Sequence, residues 1–474
     1  MHEKQKIKIG FIWSAIDSLG TQIFSLLISL TLANLLGPKI FGIAAMLSIF
    51  IAIANVFVKS GFDAALIRKL DRSETDFSTT FYFSLAGSII CYFLLFFCAP
   101  YIADFYQQPE LTKLTRVIAS IVIINVFSSI PRIKLTVDLD FKTQTKCNIT
   151  AICISGVVAL TMAYLDYGVW AIVGQQITFA AVNVLTLNLI LPWWPRQRFS
   201  NQSFNELFGF GSKLLLSGLL DTLYKNIYGL IIGKHFSMVQ LGLYNQADRL
   251  CSLPSMTLTG VIQKVTYPVM SGLQHETKKL DATFLLTLQF AAATIFPIMF
   301  GISIIAEPLI EIILGPPWQG SAELIQIIAM ALVLYPIHAI NLNMLQVKGR
   351  SDLFLKLEII KKIIITVSLM ITIPMGIKEI CIGMVISSYL SLFINTYYTG
   401  KLSSLTAYKQ LSALLPIALI AAFSAFLGYE LSASTNSNIT RISTMLAVAL
   451  ISYISIIFLV QRKLIVSLKN TLRP

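Results

Sequence analysis

The stretch FGFGSKLLLSGLLDTLYKNIYGLIIGKHFSMVQLG, Phe208 to Gly242, is long and apolar enough to cross a bilayer, yet it holds Asp221, Lys225 and Asn226 in its middle. It also repeats an earlier plan. GFIWSAIDSLGTQIFSLLISLTLANLLGPKIFG, Gly10 to Gly42, likewise carries one long helical pattern into a turn, and Asp17 and Asp221 hold comparable positions in the first helix of each half. Phe41-Gly42 and Leu241-Gly242 open the helices that follow. Six candidate helices separate the copies, so both have the same orientation in the membrane. Repeats of this kind build two lobes around a shared site, a scaffold for alternating access.

The rest of the 474 residues agrees with a membrane reading. Hydrophobic residues make up 56%, charged residues only 12%, and mean hydropathy is +0.76; a soluble domain has about 25% charged residues. One crossing takes roughly 20 apolar residues. Fourteen such runs follow one another: 11–36, 41–58, 79–102, 114–130, 148–164, 168–191, 207–232, 241–269, 284–305, 324–345, 357–373, 380–398, 411–431 and 442–460. The run 114–130 is the weakest, being short and holding Arg116 near its entry. Barrel strands alternate apolar and polar residues, and these runs do not. The expected fold is all-α: a polytopic membrane protein, fourteen helices in two pseudo-symmetric lobes around a central cavity. The repeat sets the lobes at 1–206 and 207–406, with 407–474 as two accessory helices and a tail.

Charge then orients the chain. With fourteen crossings, the segments on the side of the two ends carry 27 Lys and Arg, and the opposite loops only Lys39, Lys234, Lys378 and Arg441. Positive loops stay cytoplasmic, so both termini are expected inside. The net charge of +13 is thereby spread over short loops, which argues against a nucleic-acid surface. The first span is too long for a cleaved signal peptide and reads as a retained anchor. The six cysteines lie in or beside spans without a CxxC pair, which fits unpaired thiols better than a disulfide or metal site.

No loop is long enough for an aqueous catalytic domain. The four histidines, His2, His235, His275 and His338, are scattered, and HExxH, GxSxG and P-loop motifs are absent. The expectation is therefore a transporter with no cofactor, working between its helices rather than by covalent chemistry.

Several segments resemble the polysaccharide transporter family, the Wzx-type, colanic-acid-exporter-like branch of the multidrug/oligosaccharidyl-lipid/polysaccharide flippase superfamily. They are GFDAALIRK (61–69), FYQQPELTKLTRVIA (105–119), LDFKTQTK (139–146), YGVWAIVGQQ (167–176), FGFGSKLLLSGLL (208–220), LGLYNQADRL (241–250), AEPLIEIILGPPW (306–318) and KGRSDLFLKLE (348–358). They keep the family order and cover the chain from Gly10 to about Leu415. The resemblance implies a flippase that turns undecaprenyl-diphosphate-linked oligosaccharides, repeat units of O-antigen, capsule or exopolysaccharide, across the bacterial inner membrane. It brings with it H+ or Na+ as a coupling ion, and membrane lipids and polysaccharide assembly proteins as partners. One departure stands out: the family's seventh helix often carries Asn-x-Asp-Asn, where this chain has Asn226-Ile227-Tyr228-Gly229, so the acid is missing.

Such a substrate needs cations for its diphosphate and amides, hydroxyls and aromatics for its sugars. Ionisable residues inside spans are costly and face a cavity or a partner. Asp17, Gln22, Asp221, Lys225, Asn226 and Arg249 are the candidate substrate-binding residues, with Lys213 and Asp248 considered beside them. Each has a plainer reading. Asp221 and Lys225 form the favourable i,i+4 pair. Lys213 and Arg249 can snorkel to head groups. Asp248 can pair locally, and His338 beside Pro336 fits packing better than a proton relay. Two other functions share some of these features: a cation-coupled small-molecule antiporter of the same superfamily, for which twelve helices would suffice, and a polysaccharide polymerase, which needs a large aqueous loop.

Overall fold

The computed structural model describes residues 2–59, 61–69, 71–435 and 437–461, without the side chains of 2–12, 14–16, 18, 210 and 213. The Lys213 side chain and the basic tail 462–474 thus lie outside the described residues. Among those residues every element is a helix and no strand occurs. Contacts divide the chain into two units, Met1–Gly242 and Leu243–Pro474. The first holds α1 (His2–Lys59), α2 (Phe62–Arg68), α3 (Glu74–Tyr106), α4 (Glu110–Ile118), α5 (Ser120–Val137), α6 (Phe141–Tyr164), α7 (Val169–Ile190), α8 (Asn201–Lys225) and α9 (Ile227–His235). Helix α10 (Met238–Gly272) follows. The second unit continues with α11 (Thr277–Ile313), α12 (Gln319–Leu332), α13 (Tyr335–Val347), α14 (Ser351–Thr372), α15 (Ile377–Leu402), α16 (Ala407–Ser432) and α17 (Asn438–Val460).

Each of the fourteen expected spans falls, to within a residue, inside one helix or two consecutive ones. Ten stretches among the described residues are long and apolar enough to cross a membrane. The first, Leu19–Lys59, has 41 residues, about 62 Å of helix or twice a bilayer core. Gly37 divides it: its φ of 74° lies in the left-handed region and Pro38 follows, so the run holds two crossings. The expected spans not among the ten are α8–α9, α10 and α14, which carry Asp221 and Lys225, Asp248 and Arg249, and Lys361 and Lys362. The charges that lower their hydropathy are what make them interesting. The fold therefore fits fourteen crossings, with three of them polar. The weak run 114–130 lies within α4 and α5, and Arg116 is accounted for: its Nε donates to the Phe96 carbonyl at 3.2 Å and its guanidinium lies 4.4 Å from the Phe96 ring centre.

The repeat has a structural reason at its glycines. A Cβ on Gly42 would stand 1.9 Å from the Met238 carbonyl oxygen, and a Cβ on Gly242 would stand 1.9 Å from that of Pro38. Each copy's Gly thus lets the other copy's turn approach backbone to backbone, which is why Phe-Gly and Leu-Gly recur at equivalent places. Alanine at either position forces two backbones apart, an overpacking cost of about 1–3 kcal/mol. Gly42→Ala and Gly242→Ala are expected to lower the folded protein recovered from membranes severalfold, read by fluorescence-detected size exclusion. Gly20→Ala, where the added Cβ meets nothing within 4 Å, is expected to leave it unchanged or raised, since alanine favours helix.

In the first unit, α2 is the wedge that positions a site. Gly61 takes φ 70° at its N-cap and packs against the Gly211 backbone, where a Cβ would be 2.6 Å from the carbonyl oxygen. Phe62 is fully buried and stacks on Phe83 at 4.6 Å between ring centres, with Phe204 at 5.8 Å. Lys69 then bridges Asp76 of α3 at 3.1 Å and Glu206 of α8 at 2.9 Å. An apolar anchor on one side and an ion-pair clamp on the other fix the residue between them, Asp63.

Candidate functional site

Asp63, Lys59 and Arg132 line one cavity of about 290 Å³ together with Asn55, Asn125 and Ser129. Every one of these residues lies in the first unit, near the end at which α1 meets α2 and α5 meets α6. Arg132 projects from α5 six residues before Asp138 caps it, so it belongs to a span rather than to the following loop, where the sequence reading had counted it. Burial pushes the Asp63 carboxyl above the usual carboxylate range, against the pull of Lys59 and Arg132.

Behind the cavity wall runs a relay of hydrogen bonds. Arg132 Nη2 donates to Asn183 Oδ1 of α7 at 2.8 Å, Asn183 Nδ2 donates to Asn148 Oδ1 of α6 at 2.8 Å, and Asn148 Nδ2 donates to Asp17 of α1 at 3.0 and 3.3 Å. The bonds are all polarised the same way, from guanidinium to carboxylate, so each strengthens the next. Asp17 therefore sits at the anionic end of a chain whose cationic end opens into the cavity. The amides hold two helices in register and keep the opposite charges apart, so Arg132 is oriented without being neutralised by direct contact with Asp17. That arrangement suits an anionic group arriving in the cavity.

Of the other residues singled out by the sequence, Asp221 and Lys225 form an ion pair at 2.8 Å, with side chains 60% and 57% exposed. Asn226 marks a break: it caps α8, donates Nδ2 to the Thr222 carbonyl at 2.8 Å, and α9 starts one residue later. The acid, the base and the amide thus occupy the last turn before an interruption in a membrane helix, where backbone groups are left to be satisfied by side chains or by a solvated cavity. Gln22 and Arg249 are half-buried and make contacts of their own. Asp248, next to Arg249 on α10, has no hydrogen bond or ion pair among the described residues. The structure brings Asp17 into the relay. It leaves Asp221, Lys225 and Asn226 together on α8, apart from the relay's hydrogen bonds.

The sequence reading did not single out Asp63, Asn148, Asn183 or Arg132. Signals existed for the first three. Asn148 and Asn183 are amides inside apolar runs, and Asp63 follows a Gly-Phe pair in a conspicuous short helix. Arg132 carried the wrong signal, since a base after a proline at a span end looks like a loop anchor.

Comparison with known proteins agrees with this architecture. Residues 31–323 match the family described as polysaccharide biosynthesis protein. The teichuronic acid biosynthesis protein TuaB of Bacillus subtilis (strain 168) is 26% identical over 63% of this chain and 62% of its own length. The succinoglycan biosynthesis transport protein ExoT of Rhizobium meliloti (strain 1021) is 21% identical over 67% of this chain and 65% of its own. The chain thus spans less than two thirds of these two relatives. The lipopolysaccharide biosynthesis protein WzxC of Escherichia coli (strain K12) is 21% identical over 84% of this chain and 80% of its own. Among solved structures, the lipid II flippase MurJ in an inward closed conformation superposes with a TM-score of 0.77 at 13% identity, covering 96% of this chain and all of that one. An inward-facing multidrug resistance MATE family transporter reaches 0.66 at 17% identity, over 85% and 99%. The fold is thus the one shared by these two solved structures, and the chain belongs to the polysaccharide biosynthesis protein family.

Proposed function

We propose that this protein moves an undecaprenyl-diphosphate-linked oligosaccharide across the bacterial inner membrane by alternating access, without covalent chemistry. The observation that carries the reading is the cavity in the first unit. It offers the Arg132 and Lys59 cations, two against the one Asp63 carboxyl, with two amides and three serine hydroxyls beside them. A cavity of about 290 Å³ has room for a diphosphate rather than for a whole glycan, so it is assigned to the head group next to the polyprenyl tail. By the charge asymmetry of the loops this end faces the cytoplasm and both termini lie inside, which puts the cavity where the assembled precursor waits. Lys225 and Asn226, at the break between α8 and α9, are assigned to the glycan or the diphosphate as it moves. Asp17 is assigned to orienting Arg132 through the two asparagines.

The test is a leaflet-accessibility assay of the lipid-linked precursor in cells lacking this protein. The precursor is expected to be fully assembled and confined to the cytoplasmic leaflet, while surface polysaccharide disappears. An unassembled or unpolymerised glycan in those cells would point to an enzyme and overturn the transporter reading.

A further inference from the structure

The second crossing within α1 ends at Lys59, beside the cavity that holds Arg132. Its other end lies about 30 Å away, over the twenty residues back to Lys39. That end carries two further cavities of the first unit. One, of about 430 Å³, is lined by Lys39, Lys234 and His235, with Gln107, Gln108 and Ser237 beside them. The other, of about 560 Å³, is lined by Lys39, Lys113, Glu110, Asp166, Tyr167 and Trp170. Lys39 belongs to both, so the two adjoin there. Each is larger than the cavity of about 290 Å³ at the Lys59 end.

The repeat itself brings these residues together. The close backbone approach at Gly42 and Gly242 seats the Pro38-Lys39 turn against Met238, where α10 begins. Helix α9 ends three residues earlier at His235, which puts Lys234 and His235 on the same rim. Two of the segments that carry the family resemblance complete the walls. FYQQPELTKLTRVIA supplies Gln107, Gln108, Glu110 and Lys113, and YGVWAIVGQQ supplies Tyr167 and Trp170. The cavity around Arg132 gives neither segment a role.

The two cavities differ in charge. The first has bases and no carboxylate among its lining residues. Lys39 makes no hydrogen bond or ion pair among the described residues. The Lys234 ammonium donates to the Phe105 carbonyl at 2.6 Å and lies 4.0 Å from the Phe105 ring centre. That contact fixes its place and uses one of its three N–H groups. Lysine binds phosphate as a point charge, so this cavity suits an anionic group. The second cavity sets two carboxylates against two bases, and among the described residues no ion pair joins them. Carboxylates accept hydrogen bonds from sugar hydroxyls, and the exposed Tyr167 ring and Trp170 offer apolar faces to a sugar ring. Loop charge leaves only four bases on this side of the membrane, and two of them, Lys39 and Lys234, line one cavity. Anchors that merely snorkel to lipid head groups have no reason to share one.

We propose that the adjoining cavities receive the translocated head group at the outer face: Lys39 and Lys234 hold its diphosphate, and Glu110, Asp166, Tyr167 and Trp170 hold the first sugars. This rests on the transport reading above and extends it. One crossing carries a diphosphate seat at each end, so a head group released by Arg132 has a second place to bind before it leaves the protein. Lys39, shared by both cavities, marks the junction of diphosphate and sugar.

The test is cysteine protection in spheroplasts, with the full chain and a maleimide too polar to cross the membrane. Val239→Cys reports on the first cavity and Lys113→Cys on the second, since both residues are exposed and line them; the wild type is the blank. One strain is blocked in transferring the finished glycan off its carrier, so that precursor builds up. A second is blocked at the first sugar addition, so that only bare carrier is present. Both reporters are expected to label quickly in the second strain and several times more slowly in the first, and adding Lys39→Ala is expected to restore fast labelling. Equal rates in the two strains, with the precursor found in the outer leaflet of the first, would overturn the site and leave the transport reading standing. Protection in both strains would give the site to the bare carrier and overturn the sugar assignment. Labelling only after the membrane is opened would place the cavities at the cytoplasmic face and overturn the receiving role. With glycan transfer intact, Lys39→Ala is expected to cut surface polysaccharide about tenfold at unchanged membrane abundance, the loss of one charge-assisted contact, and Lys39→Arg to keep most of it. Protection in the first strain, together with normal surface polysaccharide in cells lacking the chain, would overturn the transport reading and leave the site standing.

Discussion

Replacing Arg132 with alanine is expected to reduce export at least a hundredfold while the chain still accumulates in the membrane. The guanidinium holds Asn183 at 2.8 Å and the edge of Asn148 at 3.5 Å, and shares its cavity with Asp63 and Lys59. Because Arg132 opens into that cavity, water can replace it on Asn183, so the fold loses only about 1 kcal/mol, the net worth of one hydrogen bond. A diphosphate loses far more. A planar fork meets two phosphate oxygens at once, and charge-assisted bonds of this kind contribute about 1.5–3 kcal/mol each, with every 1.4 kcal/mol worth about a factor of ten. Arg132→Lys keeps the charge and loses the fork, so it is expected to fall between the wild type and Arg132→Ala. Asn183→Leu leaves the charge but frees its orientation; it is expected to weaken export about tenfold. The measurements are membrane abundance, surface polysaccharide and the leaflet of the accumulated precursor. If Arg132→Ala lowers export only in proportion to abundance, the cavity is a packing feature and the head-group assignment is wrong.

The difference between what was legible and what was not follows from how each signal is encoded. Crossings are written locally, in unbroken apolar runs, so α3, α6, α7, α16 and α17 could be read directly. The more polar runs in α8, α10 and α14 could be read as well, because each stays apolar over most of its length, and the fold fits them as crossings. The relay from Arg132 to Asp17 was not. Its four members come from four different helices, and nothing in a single sequence says that α5, α6, α7 and α1 share an interior. Asp17 was found because it lies alone and deep in its span. Arg132 was missed because Lys and Arg at span ends are ordinarily anchors, and only the continuation of α5 to Val137 places it inside.

Lys225→Ala is expected to reduce export about tenfold or more with little change in abundance, and the geometry now separates that outcome from a structural one. The Asp221–Lys225 pair is close, at 2.8 Å, but both side chains are more than half exposed. Where that exposed face meets water, an i,i+4 pair contributes only about 0.3–0.5 kcal/mol, far below the cost of stranding a fully buried charge. Neither single substitution should therefore unfold the chain. If the pair served only stability, Asp221→Ala and Lys225→Ala would each be nearly silent, and the double variant would match the wild type. If Lys225 holds the diphosphate and Asp221 tempers it when the site is empty, the three variants separate: Lys225→Ala loses export, Lys225→Arg keeps part of it because an anion needs positive charge more than a particular shape, and the double variant is no better than Lys225→Ala. Their place strengthens the expectation. Lys225 is the last residue of α8, and Asn226 interrupts the helix behind it, so the ammonium sits where the backbone is already irregular and a charged ligand can be met by more than one polar group. Surface polysaccharide and membrane abundance for the singles and the double decide the matter, and full export by the double variant would remove Lys225 from the substrate's path.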